Sequence, residues 1–211
     1  MRHIMKLICF TLFFFFVCGC SNNQTASIEL HIPSKADKTK SMETKESDYA
    51  PEFKRAHPRA KELMNEEFYF SPIDETGPFG SDDGADTYAG FQAWRKVNPG
   101  INPRKFLDEQ IYRWNYPLFD FSETRFEVLK PYLKQSDLGS RFLTGIDEAI
   151  VAVAFGQLYL EGTVEKETNQ LAKTALQREL LPEILALWGD EYKSERETKL
   201  KKMLAALNQV E

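Results

Sequence analysis

Residues 144–162 read TGIDEAIVAVAFGQLYLEG, and this stretch decides the fold class. Its run Ala149–Phe155 is apolar nearly all round, which marks a helix buried at the centre of a domain. Thr144 with Asp147 has capping-box spacing, which predicts a helix over Ile146–Leu160. Gly162 is its stop. The run reads as too short and too interrupted to span a membrane.

Downstream, Leu171, Ala172, Ala175, Leu176 and Leu180 make one helical face. Pro182 breaks that helix and opens the next over Glu183–Trp188, closed by Gly189. Ser194 with Glu197 reads as a second capping box, before an amphipathic helix striped by Leu200, Met203, Leu204 and Leu207. Upstream the pattern is less regular. Pro58 opens a helix through Met64, and Phe68–Phe70 reads as a short extended aromatic piece. Ala85–Val97 reads as helix. Asn102 caps another, with Pro103 as first residue and Phe106, Leu107, Ile111 and Trp114 on its buried face. Ser122 would cap Glu123–Lys130, ended or kinked by Pro131. Strand signals are few. The expected class is all-α or mainly α, a single compact multi-helix domain with one short extended aromatic segment.

The N-terminus speaks of location. Arg2 and Lys6 precede an apolar run from Leu7 to Val17, then small residues, Cys20 and a polar tail. About ten apolar residues suit a signal peptide, where a span needs roughly twenty. Val17, Gly19 and Cys20 resemble the bacterial lipobox. The resemblance implies a diacylglycerol on the Cys20 thiol, cleavage before it, and acylation of the freed amine. Two or three acyl chains anchor stably. Ser21 lacks the aspartate linked with inner-membrane retention, which favours the outer membrane, facing the periplasm. The expected organisation is a signal peptide over 1–19, lipidated Cys20 with a polar tether over 20–50, and a helical domain over 51–211. The tether is too polar to offset its ordering entropy by burial.

Composition narrows the chemistry. Cys9, Cys18 and Cys20 are the only cysteines, so the mature chain pairs none. Loss of Arg2 and Lys6 takes the formal charge from −5 to −7. Such an acidic domain is a poor nucleic-acid binder. His31 and His57 are the only mature histidines, which weakens histidine-base and zinc mechanisms.

One segment could carry chemistry. Residues 71–86 read SPIDETGPFGSDDGAD, with five carboxylates. Asp82, Asp83 and Asp86 form a candidate cation site, and Ca²⁺ is the ion such oxygens would take. The spacing is not that of an EF-hand. The leading reading of these residues is instead that Asp82 or Asp83 caps the helix at Ala85, with acidic groups favoured by its dipole. The run Pro78–Asp86, PFGSDDGAD, looks like the "PFG-N-D-x-G-A-D" segment of YfeS-like bacterial proteins, with Ser81 where Asn is usual. That resemblance implies a bacterial domain of unknown function and carries over no catalytic role.

Aromatic residues are dense between Phe68 and Tyr132. Most suit a core, but exposed ones beside carboxylates could stack on sugars. Tyr116 and Phe119, around Pro117, are the candidate surface-binding residues. Arg178, Glu179, Glu183 and the set Lys193–Lys202 read as solvated faces with i to i+4 pairs. No phosphate loop or nucleophile elbow occurs. The expectation is a non-enzymatic envelope lipoprotein that binds a protein partner, with no cofactor and no nucleic acid. The alternative is a Ca²⁺-dependent or carboxylate-based glycan-binding or hydrolytic domain using the acidic loop 74–86.

Overall fold

The computed structural model describes residues 50–210. Cys20, the lipobox, His31 and most of the tether lie outside the described residues. In chain order the helices are α1 (Pro58–Leu63), α2 (Asp82–Val97), α3 (Pro103–Trp114), α4 (Phe126–Lys134), α5 (Gly139–Glu161), α6 (Lys166–Glu179), the single turn α7 (Pro182–Leu185) and α8 (Gly189–Leu207). Short 3₁₀ turns lie at Phe53–Arg55, Glu67–Tyr69 and Ala186–Trp188. There is no strand among the described residues, and the all-α, single-domain expectation holds.

The central helix α5 is longer than its sequence signals predict. It starts at Gly139 rather than near Ile146. Thr144 is not a cap: its hydroxyl donates to the Ser140 carbonyl at 3.1 Å, one turn back inside the helix. Gly162 does end it, with φ of +73° and its N–H on the Leu158 carbonyl at 2.9 Å. A side chain there would run into the His57 ring, so the stop fixes where α1 begins. With 23 residues α5 is long and apolar enough to cross a membrane by length and composition, which the sequence reading underrated. In the fold, 83 % of its most apolar window is buried, against α2 and α6 above all.

Burial of Phe91 and Phe155, both fully enclosed, stabilises the α2–α5 contact by about 1.5–3 kcal/mol per side chain. Tyr88 links Phe79 at 4.6 Å and Tyr159 at 5.7 Å between ring centres. On α6, Ala172, Ala175 and Leu176 are buried as their spacing predicts. So are Leu200, Met203 and Leu207 on α8.

Three local readings change. Phe68 and Tyr69 lie in a 3₁₀ turn with Phe70 capping its end, not in an extended piece. Phe68 and Tyr69 are both buried, whereas neighbours on a strand would point to opposite faces. Helix α8 begins at Gly189, where Asp190 and Glu191 complement its dipole, so Ser194 lies inside it and Glu197 pairs with Lys201 at 2.6 Å. Helix α4 begins at Phe126 and carries Pro131 within it. Ser122 donates instead to the Asp120 carboxylate. Helix α3 stops at Asn115, which adopts φ of +54°.

Candidate functional site

The acidic segment is built into the fold rather than gathered round an ion. Ser81 caps α2, its hydroxyl accepting from the Gly84 N–H at 3.1 Å. Asp82 and Asp86 lie one turn apart and exposed. Asp83, rotated about 100° from Asp82, is buried and paired with the Arg141 guanidinium. Gly145 makes room for that pair, since a Cβ there would collide with both groups. Asp74 accepts from the Thr76 N–H at 3.1 Å and hydroxyl at 2.6 Å, and pairs with Lys199 at 2.6 Å. Burial pushes its carboxyl up, but Lys199 and Thr76 outweigh burial and hold it below the usual range. Asp82, Asp83 and Asp86 therefore do not converge. Among the described residues no group of three or more His, Cys, Asp or Glu is placed to hold a metal ion.

A second feature is an open groove of about 570 Å³ between α3, residues 118–122 and α6. Ile111, Phe119, Phe121 and Leu171 line it. Tyr112 and Leu118 stand at its edge, 84 % and 69 % exposed. Arg104, Asp108, Asp120 and Ser122 are its polar lining. Phe119 lines this groove, while the Tyr116 ring packs between Trp114 at 5.4 Å and Phe142 at 4.8 Å. Burial, then the Asp83 carboxylate, pushes its phenol up. Tyr112 escaped sequence reading because it follows Ile111 on α3, about 100° off the buried face.

The groove wall is held from the core. The Tyr132 hydroxyl donates to the Pro117 carbonyl at 2.8 Å. Arg178 Nη1 donates to the carbonyls of Phe121 at 3.1 Å and Glu123 at 2.6 Å, and its guanidinium stacks 4.8 Å from the Phe119 ring centre.

Arg178 leads to a third feature, which the sequence reading assigned to solvent. Arg178 and Asp147 are fully buried, and Glu179 and Arg196 nearly so. Arg178 Nε donates to Asp147 Oδ2 at 2.9 Å and Oδ1 at 3.2 Å, and Nη2 makes a further contact to Oδ1. Arg196 Nη2 donates to Glu179 Oε2 at 2.6 Å and lies 3.9 Å from Glu148 Oε1. The Arg196 guanidinium also covers the Trp188 ring at 3.6 Å. Glu179 is interior because α8 returns along α6 and sets Arg196 on it, and Arg178 because residues 119–123 cover it. Burial pushes the Asp147 carboxyl up, against Arg178. Burial and the Glu179 charge push Glu148 up to about 8. Asp147, Glu148, Glu179 and Arg196 line a cavity of about 20 Å³, closed by residues 75–78. That is room for one water and no substrate.

No family model matches the chain. It is similar to "Uncharacterized protein YfeS" of Escherichia coli (strain K12), 27 % identical over 143 residues. The alignment covers 65 % of this chain and 55 % of that protein, so the chain spans about half the relative's length. The likeness is consistent with a YfeS-like domain. No solved structure matches.

Proposed function

We propose that this chain is a lipid-anchored lipoprotein of the bacterial envelope. Acylated Cys20 holds it at the outer membrane, facing the periplasm, and its helical domain is a non-enzymatic protein-binding module of the adaptor, assembly or immunity kind. The groove edged by exposed Tyr112 and Leu118 carries this reading. It has an apolar floor and a polar rim, the anatomy of a protein interface. Arg104 is already spent on Asp108 at 2.6 Å and Glu167 at 3.1 Å. The rim's remaining charge is Asp120, and the chain as a whole is acidic. The occupant that fits is an apolar segment of a partner protein flanked by basic residues. No observation favours the Ca²⁺ or glycan reading, since Asp74 and Asp83 are committed to Lys199 and Arg141.

The test is site-specific photocrosslinking in cells, with the probe at Tyr112 and, as control, at exposed Val97 on α2. The expected result is a discrete adduct from position 112 alone. Leu118→Asp should abolish it while leaving the melting temperature unchanged. The same adducts from both positions would sink the groove. Cys20→Ser should abolish incorporation of a labelled fatty acid into the protein, and undiminished labelling would sink the anchor.

A further inference from the structure

Three carboxyl groups and two guanidinium groups meet where α5, α6 and α8 enclose residues 75–78. Arg178 is used by Asp147, and Arg196 by Glu179. Glu148 is left in excess, 3.9 Å from Arg196 and only 15 % exposed. Independently, Glu179 Oε1 is buried with no hydrogen-bond partner, although its other oxygen is well served. Glu148 and Glu179 both face the water-sized cavity. The remaining facing groups add no net positive charge: Arg141 also acts on Glu148 but is paired with Asp83, and Tyr116 brings a neutral phenol. The Ser81 hydroxyl reaches Glu148 from the start of α2, and Asp83 beside it is already neutralised by Arg141. Tyr132 faces Asp147 from α4. The 75–78 turn offers the Glu75 carbonyl, on Arg196 Nη1 at 3.4 Å.

A surplus buried charge and an unserved buried carboxylate oxygen are each costly. One proton removes both costs, because it neutralises Glu148 and turns it into a donor. We propose that this cavity is a proton-binding site: at neutral pH Glu148 is a carboxylic acid whose O–H serves Glu179 Oε1 through one water. The upward push on Glu148, to about 8, accords with this placement. Losing the proton leaves two carboxylates competing for Arg196. Arg196 is then drawn toward Glu148 and away from its longest bond, the one to Glu75, so the 75–78 turn loosens.

The linkage has a definite sign. An unfolded Glu gives up its proton near 4.5, and the folded one near 8. Between those values the native state holds a proton that the unfolded chain does not. Unfolding releases it to the buffer, so this group's contribution to stability falls as pH rises through that window and is level above it.

The experiment counts protons released when the full-length protein in detergent unfolds at pH 7, by calorimetry in buffers of different ionisation enthalpy. Wild type should release about one proton more than Glu148→Gln. Its folding equilibrium constant should also fall faster with pH, by up to about tenfold per unit relative to the variant. Equal proton counts overturn the proposal. If Glu148→Gln fails to fold, infrared spectroscopy of wild type decides. A protonated-carboxyl carbonyl band at pH 7 that moves in Glu148→Asp and fades past about 8 supports the site, and a band that is absent or that Glu148→Asp leaves unmoved overturns it.

Discussion

Arg178 does several jobs with one planar group. Two of its nitrogens serve Asp147, a third serves the carbonyls of Phe121 and Glu123, and its face supports Phe119. A lysine has a single nitrogen and could not span these partners. Arg178→Met leaves Asp147 buried and unpaired, so it should cost about 3–5 kcal/mol by chemical denaturation. Adding Asp147→Leu should restore part of that loss, since no lone charge remains. The recovery stays incomplete because the Phe121 and Glu123 carbonyls still lack their donor. If single and double variants lose equal stability, the ion pair is not the source. None of this was legible in sequence. Arg178 and Glu179 end an amphipathic helix with ordinary surface spacing, and what makes them interior comes from distant parts of the chain, residues 119–123 over Arg178 and Arg196 of α8 over Glu179.

At the level of elements, helix ends were legible where one residue sets them. Gly162 and the Asn102–Pro103 pair stand where their local chemistry puts them. Starts inferred from capping boxes were less secure. Thr144 lies in mid-helix with its hydroxyl on a carbonyl one turn back, and so never needed to cap. The cap of α2 lies one residue before Asp82, at Ser81, whose oxygen reaches the Gly84 N–H. Ser81→Ala should therefore cost about 1 kcal/mol by chemical denaturation. Asp82→Ala, on an exposed side chain, should stay within about 0.5 kcal/mol. A larger loss from Asp82→Ala than from Ser81→Ala would reassign the cap.

Across the whole molecule, the sequence marked the glycine-rich acidic loop as special but not what its carboxylates meet, because Arg141 and Lys199 come from distant helices. Phe119 was legible as a groove residue and Tyr112 was not. The composition of α5 has a meaning beyond the finished fold. If the chain is exported as proposed, it threads a translocation channel before α2, α6 and α8 have formed around this helix. The channel then meets a 23-residue segment able, by length and apolarity, to halt there as a stop-transfer signal. An acidic residue near the middle of such a segment opposes release into lipid by about 2.5–3.5 kcal/mol. Asp147 and Glu148 sit inside it. A reporter enzyme active only outside the cytoplasm, fused after residue 165, should be active behind the natural segment. It should fall silent behind Asp147→Leu with Glu148→Leu, and unchanged activity would refute the argument. The acids that organise the folded interior would then have served once already, in transit, by keeping the future core from being left in the membrane.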